Sequence, residues 1–427
     1  MSYENKLLQM KKLLGKKTEQ KKEKPKFIKP EPPLYSEQWQ QAGLERVENE
    51  FGMLFKREVH YPFDYQHGDY KLGEFFHSLK RWKFEAEDHP FAISGNETIV
   101  FFDTETTGLK GAGTHIFLLG FLEADDEGFT LTQYVLADPS NEAALLFESK
   151  LWQRNVTIVS YNGKSFDWPQ LQVRWTLNQQ FLPPLKSQRQ IDLLHSTKRL
   201  WKDDLSRMKL TQVEQDKLGF YRKGDIPGHL APIIYFDAVK SGNAETLMKV
   251  LLHNEWDLLS LITLYIHSTN LLFDDISTES ATTYTNIGKW FGDLKKRQTS
   301  TEILQAVTAH FETKDTGYAH FYLAYELKRI GETDLAIQSF QTALPAIPVR
   351  KQLLAYEQLA ILYEHKVKDY EQAYNYTKIG NNLLPDIPFQ KETHLQNQQK
   401  NWQKRLSRLA NKRNKNFSTN NEKFFDN

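Results

Sequence analysis

Cysteine is missing altogether from these 427 residues. Its absence excludes disulfides, thiolate zinc sites and cysteine nucleophiles, and fits a reducing, cytoplasmic setting. Long apolar runs are missing too. None approaches the roughly 18–20 residues needed to cross a bilayer, so no membrane partner is expected. The opening residues, MSYENKLLQMKKLL, carry charge throughout and have no apolar core, which argues against a secretory signal. Net charge is nearly absent, at +1, so any binding of a polyanion has to come from local patches.

The chain is long enough for two or three domains. Residues 1–34 read as a basic flexible arm: ten lysines face three acids in the first thirty residues, and Pro25, Pro30, Pro32 and Pro33 follow. Residues 35–97 are rich in aromatics, among them Trp39, Phe55, Tyr61, Phe75 and Trp82. That segment is expected to pack on the next domain, with a base-stacking surface as the alternative use of its rings. From residue 98 the pattern alternates between strands and helices. Strands are expected at 99–103, 115–124, 129–136, 156–160 and 191–194, with Asp125-Asp126-Glu127-Gly128 as a hairpin link. Helices are expected at 140–153, capped by Ser140 or Asn141, and at 165–177, capped by Ser165. This order implies an α/β domain over 98–275, a mixed sheet with helices packed on it. Residues 290–410 are expected to be all-α. There Ala336, Phe340, Ala343 and Pro348 return as Ala373, Thr377, Gly380 and Pro385, a period of 37 residues. Lys400–Lys415 is basic and is either a capping helix or a nucleic-acid contact. Residues 411–427 are expected to be a disordered tail.

The chemistry lies in the acids. In Thr98–Gly108, TIVFFDTETTG, the unbroken apolar run predicts a strand buried on both faces. Asp103 and Glu105 emerge from it on one side. Two such acids repel each other and are costly to desolvate unless a cation lies between them, and Mg²⁺ takes oxygen ligands of this kind. The bland alternative is an exposed acidic turn. Asn162-Gly163-Lys164-Ser165-Phe166-Asp167 follows the fourth strand, with Asp167 in the first turn of a helix, where an acid also complements the helix dipole. Asp192 interrupts an apolar stretch and reads as a supporting residue. In a late helix His253 and Asp257 are four apart and share a face among leucines; a surface Asp beside a His is the alternative.

D-x-E on a first strand, N-x₄-D entering a helix and an aromatic-x₃-D on a late helix together resemble the motifs of the DEDD 3′–5′ exonucleases, over about residues 98–270. Gly224-Asp225-Ile226-Pro227-Gly228 and His253-Asn254-Glu255-Trp256-Asp257-Leu258-Leu259 resemble a narrower group, the bacterial YprB-like proteins, which join this domain to C-terminal tetratricopeptide repeats. The resemblance implies a ribonuclease-H-like fold and a metal-dependent phosphodiesterase using two Mg²⁺ or Mn²⁺ ions. Asp103 would bridge them, Glu105 and Asp257 would complete one site, and Asp167 would hold the other through water. His253 would be the general base or the residue that positions water. It stands at the spacing where related enzymes carry a tyrosine; those with a catalytic histidine place it one residue earlier.

The implied substrate is single-stranded DNA or RNA. Its expected contacts are Thr106, Asn162, Lys198, Arg199, Trp201, Arg222 and Lys223. Most of them fall in a basic, aromatic stretch that is otherwise read as a charged helix surface, interleaved with Asp203, Asp204, Glu214 and Asp216. The repeats would recruit a protein partner. A structure-selective endonuclease of the same fold and a non-catalytic scaffold remain as alternatives.

Overall fold

The structure, a computed structural model, describes residues 27–93, 97–108, 113–387 and 392–425, with side chains described as far as 414. Most of the expected basic arm, residues 1–26, lies outside the described residues. The chain divides into two units. The first holds residues up to His77, Ile93–Leu193 and Leu218–Leu264; the second holds Ser78–Ala92, Leu194–Lys217 and Tyr265 onward.

A seven-stranded mixed sheet forms the first unit. Its strands are β1 (Glu45–Asn49), β2 (Gly52–Pro62), β5 (Ile99–Thr106), β6 (Ile116–Ala124), β7 (Gly128–Leu136), β8 (Thr157–Ser160) and β9 (Arg189–Asp192), in the order β1-β2-β7-β6-β5-β8-β9. Gln66–His67 and Tyr70–Lys71, β3 and β4, make a separate small hairpin. β8 and β9 run parallel to β5, and all other neighbours are antiparallel. The aromatic segment does more than pack on the domain: it supplies two strands of the sheet. β2 pairs with β7 from Leu54↔Leu136 to Pro62↔Gly128. The β6–β7 hairpin forms as its sequence predicts, because Asp125 Oδ1 accepts the backbone N–H groups of Glu127 and Gly128, both at 2.9 Å.

Helices α1 (Glu142–Glu148), α2 (Asp167–Leu177), α3 (Ala231–Ser241) and the start of α4 (Glu245–Phe273) cover the sheet. The caps are made differently from what the sequence predicts. Asn141 stands at the N-cap of α1, but its side chain makes no cap bond; Asp138 holds the preceding turn, accepting from Ser140 N at 2.8 Å, and the helix ends at Glu148 rather than at 153. α2 starts at Asp167 with no side-chain cap from Ser165. Val100 and Phe102 of β5 are buried on the face away from Asp103, where the Phe102 ring lies 5.3 Å from that of Phe121 on β6. Full burial of one such side chain is worth about 1.5–3 kcal/mol.

The second unit is helical. Residues 78–92 and 194–217 belong to it, so the expected linear boundary near 98 and 275 is replaced by an interleaved one. Trp82 is the reason for the first: it is fully buried against Phe91 and Phe273, and its indole donates to Thr269 Oγ1 at 2.9 Å. The C-terminal helices are α5 (Ala281–Asp293), α6 (Arg297–His310), α7 (Gly317–Ile330), α8 (Thr333–Ala343), α9 (Val349–Leu362), α10 (Tyr370–Leu383) and α11 (Glu392–Phe425). α7 packs on α8, and α9 on α10. Ala336, Phe340, Ala343, Ala373 and Thr377 are fully buried, and a Cβ at Gly380 would meet the Trp402 ring at 2.4 Å. The 37-residue period holds at the starts of α8 and α10. α10 is three residues longer, so the turns that follow, Leu344–Ala346 and Leu384–Asp386, are 40 apart. α11 runs through most of the stretch expected to be disordered; from 389 onward neither Gly nor Pro interrupts it. It caps α10 with buried Trp402 and Leu409, while Arg408 and Lys412 bind Glu364 at 2.8 Å.

Candidate active site

The site grows from one row of residues across the sheet. Register places Asp103 of β5 opposite Gly120 of β6, Gly120 opposite Gln133 of β7, and Gln133 opposite Arg57 of β2. Residues directly opposite share a face, so the row lies under α4. Glycine is required at its centre. A Cβ at Gly120 would lie 2.3 Å from Asn254 Oδ1 and 2.7 Å from Leu258 Cδ1. Without it, α4 descends onto the sheet. Asn254 then bridges the row: its Oδ1 accepts from Gln133 Nε2 at 2.8 Å, and its Nδ2 donates to Asp103 Oδ2 at 2.8 Å. Gln133 and Asn254 are both fully buried, and Arg57 Nη1 donates to Gln133 Oε1 at 2.8 Å. Glu255 turns away from the acids, held by Arg57 (2.6 Å) and the Tyr61 hydroxyl (2.5 Å).

Next to Asp103, one ligand atom each of Glu105, His253 and Asp257 lie within 4.8 Å of one another, the grouping among the described residues that suits a metal ion. Asp103 and Asp167 are electrostatically joined to it. Burial pushes the Asp103 carboxyl well above the ordinary range, and the charges of Asp257, Asp167 and Glu105 push it further; the Asn254 hydrogen bond works against them. Glu105 is raised by burial and then by Asp257, Asp167 and Asp225, with Arg222 opposing. Burial pushes Asp167 up to about 6, although Thr104 Oγ1 donates to its Oδ1 and pulls the other way. Thr104 lies between Asp103 and Glu105 on β5 and so points to the other face, which sets Asp167 apart from the close group.

The loop bearing Asp167 is fixed from behind. Asp192 accepts the N–H groups of Asn162 (2.8 Å) and Lys164 (3.2 Å), the supporting part expected of it. Asn162 is left-handed at φ 67°, and a Cβ at Gly163 would lie 2.4 Å from Ser160 Oγ.

Around His253 the ordering is tight. Its Nδ1 lies 2.7 Å from Asp225 Oδ1 and its Nε2 3.5 Å from Asp257 Oδ2. The carboxylate of Asp225 accepts a hydrogen bond from Nδ1–H, which leaves the lone pair on Nε2. Arg222 Nη2 donates to Asp257 Oδ1 at 2.5 Å, and Nη1 to Asp225 Oδ2 at 3.2 Å.

Residues 100–269 fit the family model described as RNase_H superfamily. An uncharacterized protein of Bacillus subtilis (strain 168), YprB, is 35% identical over 347 residues, spanning 79% of this chain and 83% of its own. The chain belongs to the YprB family. Exonuclease I in its apo form is similar over 67% of this chain and 99% of its own, at 12% identity and a TM-score of 0.24; a likeness that loose says nothing of chemistry.

The expected substrate contacts fare unevenly in this YprB-family chain. Arg222 is almost fully buried, with its guanidinium spent on the acids rather than offered to a strand. Trp201 is fully buried against His267 and Lys217, so its ring is core and not a stacking platform. Thr106 is buried, and its hydroxyl donates to Gly108 O at 2.8 Å. Asn162 and Lys223 are exposed in the first unit; Lys198 and Arg199 are exposed in the second. Sequence reasoning missed Asn254, Gln133 and Asp225. The first sits inside His253–Asp257 and the last inside the Gly224–Gly228 turn, yet nothing local says that either carboxamide or carboxylate faces the acids.

Proposed function

We propose that this protein is a metal-dependent 3′–5′ exonuclease on single-stranded nucleic acid. The observation that carries the reading is that Asp103 and Glu105, raised first by burial, are raised further by the charges of Asp257 and Asp167, so that acids from three distant stretches act on one place. Arg222 offsets only part of that negative charge, and the oxygen donors suit Mg²⁺ or Mn²⁺. Asp103, Glu105 and Asp257 would hold one ion, and Asp103 with Asp167 the other. When bound, such ions lower the pKa of water and offset charge that builds on a phosphate.

The chain's own residues do the rest. His253 accepts a proton at Nε2, and Asp225 holds the ring in that tautomer. Asn254 fixes the rotamer of Asp103. The helix pairs of the second unit read as tetratricopeptide-like and as a platform for a protein partner, in a cytoplasmic protein; no helix among the described residues is long and apolar enough to cross a membrane.

The test uses 5′-labelled single strands of matched DNA and RNA, with free or blocked 3′ ends, in Mg²⁺ and in Mn²⁺. A ladder that shortens from the 3′ end and stops at the block is expected. Cleavage indifferent to the block means an endonuclease. No cleavage in either metal overturns the reading.

A further inference from the structure

Two adjoining cavities in the second unit make a basic trough. The first, of about 380 Å³, is lined by Lys198, Arg199, Lys202 and Lys289 with Trp290 as its apolar floor. The second, of about 420 Å³, adds Lys295, Arg297, Arg329 and Lys351 beside Phe321, Tyr322 and Tyr325. Lys289 and Asp293 belong to both. Eight cations therefore face two carboxylates, Asp293 and Glu326, in a chain whose whole net charge is +1.

The carboxylates are already shared out. Asp293 lies 3.2 Å from Lys289 and 3.6 Å from Arg199, and Glu326 binds both Arg297 and Arg329. Lys198 and Lys351 have no ion pair among the described residues. The Lys351 ammonium lies over the rings of Phe321 and Tyr322, at 5.0 and 5.4 Å. Burial, and then the charges of Lys289 and Lys202, hold it below the ordinary lysine range. The two cavities are thus one electrostatic site short of negative charge. A folded chain keeps like charges this close at a cost that a bound polyanion removes.

We propose that this trough binds single-stranded nucleic acid, the cations holding its phosphates and Tyr322 and Tyr325 receiving bases. Cations interleaved with half-buried rings are the pattern that single strands select, and each cavity has the size that takes a small ligand such as one nucleotide. An acidic peptide would match the charge and leave the rings unused. The proposal goes beyond the nuclease reading and does not depend on it, because the trough lies wholly in the second unit.

The experiment is fluorescence anisotropy of labelled dT₂₀ and rU₂₀ with the full chain in EDTA, where metal-dependent cleavage does not run. The double variant Lys198→Glu/Lys202→Glu, exposed at both positions, is expected to weaken binding at least tenfold and to flatten its dependence on salt. Lys351→Gln should weaken it severalfold, and Lys198→Arg/Lys202→Arg should restore it, which separates charge from fold. Polyglutamate is the competitor. Unchanged affinity in the charge-reversed chain overturns the proposal, as does displacement by polyglutamate as effective as by unlabelled dT₂₀, which would mark an acidic-protein site. Binding that survives while no nuclease activity is found leaves the trough standing and the nuclease reading alone overturned.

Discussion

Arg222 donates to Asp257 at 2.5 Å, so the acid cluster already holds a cation of the chain's own. The guanidinium is almost fully buried and also reaches Asp225. It partly neutralises a group of carboxylates that would otherwise repel, and it sits on one of the expected metal ligands. A metal ion and Arg222 therefore compete for Asp257.

The first prediction concerns that competition. Arg222→Gln should lose about 3–5 kcal/mol of stability in EDTA, because breaking a buried pair strands a carboxylate. Saturating Mn²⁺ should return more stability to the variant than to the wild type. Urea denaturation of both proteins, with and without Mn²⁺, measures the difference. Equal gains would show that the arginine and the ion do not share Asp257.

The second concerns pH. Asp167 is raised to about 6 by burial, and Asp103 and Glu105 are raised in the same direction. A carboxyl whose folded pKa lies above its unfolded one binds protons more tightly when folded. Its stabilising contribution is complete below about pH 4 and is lost as pH rises through about 6. For Asp167 alone that is roughly 3 kcal/mol. The metal-free protein should therefore lose stability between pH 4 and 6. Mn²⁺ should bind more tightly over the same interval, since protons leave as it binds. Urea midpoints in EDTA across that range, beside Mn²⁺ titrations, test both halves.

The third concerns the row beneath α4. Asn254→Leu removes the donor to Asp103 and one of the two acceptors of Gln133 Nε2, the other being Leu251 O, so Mn²⁺ affinity should fall by about 10–100-fold. Gly120→Ala should cost about 1–3 kcal/mol by forcing α4 off the sheet, and should lower turnover with it. Calorimetry and thermal melts on the two variants separate the polar effect from the steric one.

The fourth concerns His253. His253→Ala should lower the rate more than it lowers metal affinity, and Asp225→Asn should follow it partway by freeing the ring. An unchanged turnover number in His253→Ala would remove the histidine from the mechanism.

The acids were legible because a carboxylate in an apolar strand or helix is expensive and therefore conspicuous. Asp103, Glu105 and Asp257 stand out in this way, and the structure brings them together with His253. What the chain order concealed was long-range. Gln133 and Asn254 are 121 residues apart, and polar residues of that kind look ordinary until register and helix packing place them. Arg222 was visible as a cation, but a sequence does not show whether a guanidinium faces solvent or a carboxylate. Trp201 misled for a similar reason, since a tryptophan among lysines reads as a stacking ring and here is core. β1 and β2 were read as packing because the segment around them is rich in aromatics, and β2, which opens on four consecutive buried residues, Gly52 to Phe55, shows no clean alternation that would mark it as a strand. The 37-residue period found the helix pairs at their starts and missed the extra near-turn of α10, which only the paired Leu-Pro turns reveal.

Calorimetric titration of Mn²⁺ into the wild type and into Asp103→Ala reads the cluster directly. Two ions per chain are predicted for the wild type, with both sites weakened in the variant because Asp103 serves each. Identical isotherms for the two proteins would contradict the account.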